Sequence, residues 1–193
     1  GLQIMCVCSF LGHDEIYDNE VFENIQRAVN GLCGERDGVE FLFFRGGRYG
    51  AMCLCAALRA KRRYPDKKIS VSLVVKEEER ERVLRALKWG KSGFPACAVD
   101  RVISPPRISV PENSRDFSLA GKKITRWILR QSTHLVCYLY PEFFEAENQL
   151  RRYAENRNVG IIDVTDEGTK RFIKKSIRGM TEKKRAVIKR LMA

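Results

Sequence analysis

Phe41-Leu42-Phe43-Phe44-Arg45-Gly46-Gly47-Arg48-Tyr49-Gly50-Ala51 carries an unbroken apolar run into paired glycines and arginines, and then into a helix-forming segment. Apolar at every position, the run reads as a strand covered on both faces. The glycines let backbone N–H groups converge on an anion, the helix that follows turns its positive end toward that anion, and Arg45 and Arg48 add fork-shaped donors. Strand, glycine turn and helix in that order suit a nucleotide or a similar anion. A plainer reading fits the same residues, with Gly46-Gly47 as a tight turn and the arginines in water.

On either side of this stretch, short apolar runs alternate with longer amphipathic ones. Ile4 to Phe10 reads as a first strand, Asn19 to Leu32 as a helix, Val39 to Phe44 as the second strand, and Ala51 to Tyr64 as the next helix. After the turn at Pro65-Asp66-Lys67-Lys68 come a strand at Ile69 to Val75 and a charged helix at Glu77 to Trp89. Leu135 to Tyr140 and Val159 to Val164 add two strands around a helix at Phe143 to Asn156. Five strands joined by helices predict an α/β protein with a Rossmann-like, doubly wound, mainly parallel sheet and helices on both faces. Length favours one domain over residues 1–193, with a long irregular insertion at about 90–123 and a basic helical tail at about 165–193.

The net charge is +12, and much of it is local. Residues 167–193 hold Lys170, Arg171, Lys174, Lys175, Arg178, Lys183, Lys184, Arg185, Lys189 and Arg190 against Glu167 and Glu182. Such a field attracts polyanions without choosing among them. Phe172, Ile173, Ile177, Val187, Ile188 and Leu191 recur at helical spacing, so the tail is expected to dock on the sheet or on a second subunit. The seven cysteines are odd in number and lie within apolar patterns, which argues against a disulfide framework. Cys6/Cys8 and Cys53/Cys55 are one residue apart rather than at zinc spacing, so no metal and no cofactor is expected. With no run of membrane-spanning length and no leader pattern, a cytoplasmic protein without a membrane partner is expected.

Ligands of open parallel sheets bind beyond the carboxyl ends of the strands. The loop after the first strand, Cys8-Ser9-Phe10-Leu11-Gly12-His13-Asp14, is one such place. There Gly12 permits a sharp turn, His13 can donate or accept, and Asp14 can accept from a ribose hydroxyl or cap the next segment. The turn with Arg45, Gly46, Gly47, Arg48, Tyr49 and Gly50 is the other. Among Phe43, Phe44, Tyr49, Trp127 and Tyr138, Tyr49 is the ring expected to meet a base, being in the loop. Cys8 beside His13 would offer thiol chemistry only if it were accessible.

Cys8 to Asp14, then Gly47-Arg48-Tyr49-Gly50-Ala51, then Arg126-Trp127-Ile128-Leu129 running into Ser132 and Val136-Cys137-Tyr138 resemble the YpsA-like branch of the SLOG superfamily. The likeness covers most of residues 4–164. That superfamily is Rossmann-like and includes DprA-type DNA-processing proteins, LOG-type nucleotide phosphoribohydrolases and sensors of nucleotide-derived ligands. The resemblance implies recognition of a nucleotide-like small molecule by Gly12, His13, Gly47 and Gly50. Three departures stand beside it. Cys53 replaces the usual Asp, Ile124-Thr125 and Arg130 replace an Arg-Asn pair and an Asp, and Pro141 to Glu147 replaces a phosphate-receiving Gly-Gly turn.

The last departure bears on catalysis. Glu142, Glu145 and Glu147 suit the positive end of a helix but repel phosphate, and LOG-type hydrolases need a glycine-rich turn before their glutamate. Binding or sensing without turnover is therefore the reading adopted, with Glu142 and Glu145 as the candidate acids for N-glycosidic hydrolysis. A nucleic acid held by the basic surface is the third reading.

Overall fold

The computed structural model describes residues 5–16, 19–44, 47–90, 98–106, 117–140, 145–178 and 182–192. It is an α/β structure built on one parallel sheet. The strands are β1 (Cys6–Gly12), β2 (Gly38–Phe43), β3 (Lys68–Val74), β4 (Arg101–Ile103), β5 (His134–Tyr138) and β6 (Gly160–Asp163), in the spatial order β4-β3-β2-β1-β5-β6. Every pairing is parallel, with Cys8 opposite Phe41 on one side and Gly12 opposite Tyr138 on the other. The chain leaves β1 toward one edge, returns, and continues from β5 toward the other. The reversal falls between β1 and β5, as in Rossmann-like folds.

Parallel neighbours cannot be joined by hairpins, so helices cross between them and cover both faces. On one face, α1 (Val21–Glu35) and α2 (Arg48–Arg63) press Ile25, Val29, Ala56, Ala57 and Ala60 onto Cys8, Phe41 and Val71. The three buried alanines give α2 a narrow side and a close approach to the sheet. On the opposite face, α4 (Phe117–Gln131) sets Ile124 and Ile128 on Leu42 and Val74, while α5 (Glu145–Asn156) sets Leu150 and Ala154 on Leu135 and Cys137. A 3-10 turn (Glu77–Glu79) leads into α3 (Arg80–Lys88), and α6 (Glu167–Arg178) and α7 (Glu182–Met192) follow β6.

Six strands stand where five were expected. The extra one, β4, lies inside the stretch 90–123 that was read as irregular, and the same stretch contains the start of α4. Residues 91–97 and 107–116 of that stretch lie outside the described residues. Three residues followed by Ser104-Pro105-Pro106 are too few to show a period, and β4 is held by a charge as well as by its pairing with β3. Glu40 of β2 is 5% exposed, accepts a hydrogen bond from Ser72 Oγ at 2.9 Å and is ion-paired with Arg101 of β4. Arg101→Ala leaves that buried carboxylate with the Ser72 hydroxyl alone. Urea denaturation is expected to register a loss of about 1–3 kcal/mol, and an unchanged midpoint would show that the pair does not hold the edge.

Candidate functional site

The carboxyl ends of β1 and β2 open into a cavity of about 360 Å³. Ser9, Phe10, Leu11, Gly12 and Asp14 line it from β1 and the turn after it, and Leu42, Phe43 and Phe44 from β2. Tyr49 and Gly50 close it from the first turn of α2, Gly121, Lys122, Thr125, Ile128 and Leu129 from α4, and Ala146, Glu147 and Leu150 from α5. Helices from both faces thus meet over the carboxyl ends of β1 and β2, beside the strand at which the order reverses.

The start of α2 is held by three contacts of one residue. Tyr49 lies flat on Gly12, so closely that a Cβ on Gly12 would be 2.6 Å from two of its ring atoms. Its hydroxyl donates to the Val136 carbonyl at 2.9 Å, and its backbone N–H donates to Asp14 Oδ1 at 3.0 Å. Gly47 is the N-cap of α2 and has no side chain to offer the helix, so Asp14 supplies the capping oxygen from 35 residues away. Gly47 needs to be glycine on two counts. Its φ is +143°, and a Cβ there would lie 2.6 and 2.8 Å from the two Asp14 carboxylate oxygens.

Of the expected site residues, Gly12, Asp14, Tyr49 and Gly50 come together around the cavity. Arg48 is exposed at the first position of α2 and is not part of the wall. Arg45, Gly46 and Glu142 lie outside the described residues, and Glu145 is exposed in the first turn of α5. Gly12 makes no turn: it is the last residue of β1, and its missing side chain makes room for Tyr49. Tyr49 itself is a helix residue, 3% exposed, with its hydroxyl tied to β5. Phe43 and Phe44 do reach the wall, beside Phe10, whose ring stacks on Phe43 at 4.9 Å.

His13 is a core residue. It is 6% exposed, packs against the rings of Tyr138 and Tyr140 at 4.8 and 5.5 Å, and is absent from the cavity wall. Burial pushes its pKa down to about 4, against smaller opposing effects from a hydrogen bond with the Glu15 backbone and the charge of Asp14. The ring is therefore neutral at pH 7. Cys8 has no exposed surface, and burial pushes its thiol well above the usual range, away from nucleophilic use. Among the described residues, no group of three or more His, Cys, Asp and Glu side chains is placed to hold a metal, and no helix is long and apolar enough to cross a membrane.

Lys122 and Thr125 are wall residues that the sequence did not announce. They belong to a face of α4 that also carries Gly121, Ile128 and Leu129, and the Thr125 hydroxyl donates back to the Gly121 carbonyl at 2.9 Å. Glu147 is the acid of the α5 segment that reaches the cavity; its Oε2 is shut off from solvent and has no hydrogen-bond partner among the described residues. On the tail, Arg171, Lys174, Lys175, Lys183, Lys184, Lys189 and Arg190 are exposed, whereas Lys170 is drawn between Asp163 and Glu167. No family model matches the sequence, and no curated protein is significantly similar to it.

Two outcomes follow from these contacts. Asp14→Ala removes a helix cap and is expected to lower stability by about 0.5–2 kcal/mol in chemical denaturation; no loss would mean that water caps Tyr49 equally well. The His13 pKa lies below its unfolded value of 6.5, so the unfolded chain takes up the proton first and stability falls as pH drops from 6.5 toward 4. That fall is on the order of 3 kcal/mol. The His134 pKa is also lowered, by burial and then by Arg36, and adds to the same window. His13→Phe should flatten most of the fall in denaturation curves taken between pH 4 and 7, and a slope equal to that of the parent would refute the assignment.

Proposed function

We propose that the chain binds a nucleotide or nucleotide-derived small molecule in the crevice beyond β1 and β2, and reads that ligand without transforming it. The observation that carries this is the position of the cavity, over the carboxyl ends of β1 and β2 and roofed by α5, with β1 one of the two strands between which the order reverses. Open α/β sheets bind their ligands at that point. A volume near 360 Å³ lies at the small end of ligand sites and suits a ligand of mononucleotide size. Phe10, Phe43 and Phe44 offer ring surface to a base, Lys122 offers a donor from α4, and the Thr125 hydroxyl, whose proton goes to Gly121, offers an acceptor. The phosphate end belongs at the start of α2, near Gly47, Arg48 and Gly50, where backbone N–H groups and the helix dipole favour an anion. Occupancy is then passed to a partner or to a second copy of the chain.

The surroundings of the candidate nucleophiles favour binding over chemistry. Ser9 is hydrogen-bonded to the Ser132 hydroxyl at 2.9 Å rather than to a base, and Cys8 and His13 are both buried away from the opening. The second reading is hydrolysis of an N-glycosidic bond, favoured by the buried Oε2 of Glu147 at the wall. Water would add its hydroxyl to the sugar carbon and its proton to the departing base, with Glu147 as the acid or base in place of Glu142 and Glu145. The exposed lysines and arginines of α6 and α7 support the third reading, retention of a nucleic acid.

A thermal-shift panel of nucleosides, mononucleotides, dinucleotides, cyclic nucleotides and ADP-ribose, with product analysis alongside, separates the three. At a hundredfold excess over Kd a ligand adds about 2.7 kcal/mol of stability, which raises Tm by several degrees. The expected result is a ligand-specific shift without turnover, lost in Thr125→Trp and Gly50→Asp. Released base that disappears in Glu147→Gln would make the chain a hydrolase. Absence of any shift, with salt-sensitive retention of nucleic acid, would move the function to the tail.

A further inference from the structure

A bound phosphate at the start of α2 would meet a negative charge already in place. The Asp14 carboxylate receives the Tyr49 N–H at 3.0 Å and lies over the Gly47 backbone, with both oxygens within 3 Å of where a Cβ would project. Those are the groups that a helix start presents to an anion. Asp14 also lines the cavity, together with Gly12 and Gly50. Among the described residues no lysine or arginine forms an ion pair with it, and its carboxylate accepts from the helix end.

We infer that Asp14 is a resident anion that decides which ligands the cavity accepts: a neutral nucleoside-like ligand enters beside it, and a phosphorylated one binds at α2 only by displacing it. The inference rests on the cavity reading above and assigns the residue that sets the ligand's charge. Two facts make the carboxylate a displaceable occupant and not a fixed part of the core. Asp14 is exposed, and Tyr49 N is the one hydrogen-bond donor to it among the described residues. Rotation out of the cradle breaks that bond and returns the charge to water, while the arriving phosphate takes the freed N–H. Left in place, the carboxylate would face the phosphate across a gap too short for solvent screening. Preference between a nucleoside and its phosphate is thus set at one side chain, independently of whatever recognises the base.

Titration calorimetry of the full chain with pyrophosphate, adenosine and AMP tests this on the parent, Asp14→Asn and Asp14→Ala. Asparagine keeps an oxygen for Tyr49 N–H at the same size and removes the charge, so the variant retains its cap. Removing the like charge is expected to tighten AMP and pyrophosphate, and to raise the preference for AMP over adenosine, by about tenfold or more in both variants. Unchanged or weakened AMP and pyrophosphate binding in both variants overturns the inference. Equal loss of adenosine and AMP also overturns it, because Asp14 would then be an acceptor for a ligand hydroxyl. Pyrophosphate gained by the variants while adenosine binds none of the three proteins keeps the resident anion and refutes the nucleoside reading of the cavity.

Discussion

Tyr49 is the contact on which the rest of the site depends. One side chain joins three separate pieces of chain: its ring covers Gly12 at the end of β1, its hydroxyl reaches the Val136 carbonyl on β5, and its own N–H begins α2. The distance from the start of α2 to the carboxyl ends of β1 and β5 is fixed by the width of a phenol. A smaller residue at 49 would let α2 settle onto β1, and any side chain at 12 would drive it away. Because β1 and β5 are the strands between which the order reverses, the same contact holds the crevice at a set width. Stability and binding geometry therefore share one residue, and a buried phenol hydroxyl with a partner is the form in which tyrosine is tolerated at 3% exposure.

The fold was legible because parallel strands covered on both faces must be apolar throughout. Phe41-Leu42-Phe43 and Leu135-Val136-Cys137 could be read as strands with no partner in view, and α2 was announced by Gly47 before it and Pro65 after it. β4 escaped since three residues carry no period, and its place at the edge depends on Glu40, more than 60 positions away. At the site, residues of the two turns singled out in the sequence border the cavity, but several of them are packed otherwise than expected. His13 follows a strand end, where ligands bind, yet it is buried against the rings of Tyr138 and Tyr140, and such packing is a long-range fact that no local pattern contains. Gly12 looked like a turn because glycine serves both a turn and a close approach. Lys122 and Thr125 reach the wall through the placement of α4, which a reading of loops alone passes over.

The cysteines illustrate how burial overrides chemical type. Cys6, Cys8, Cys33 and Cys53 fall in one core between the sheet and its first two helices. Burial pushes the Cys33 thiol up to about 11, and raises the Cys8 and Cys53 thiols well above the usual range. A thiol that cannot ionise is a small apolar group that packs well beside Ala56 and Ala57, and this is the use made of it here. Cys137 on the other face is pushed up to about 12, chiefly by burial. Of the two closely spaced pairs, Cys6, Cys8 and Cys53 pack in the core while Cys55 faces solvent.

Global and local charge point in opposite directions in this molecule. The chain carries +12, and the exposed bases of α6 and α7 account for much of that excess. Among the described residues the cavity wall holds one lysine, Lys122, against two acids, Asp14 and Glu147. A basic envelope raises the concentration of any anion near the surface and speeds encounter, and salt weakens the effect over about a Debye length. In the proposed reading, selection occurs at closer range, where Asp14 already holds the N–H that a phosphate would need. Attraction to the molecule and admission to the cavity are therefore separate steps governed by different residues. An anion drawn in by the tail gains nothing at α2 until the carboxylate moves, so the helix end that makes the site attractive to phosphate also makes it self-occupied.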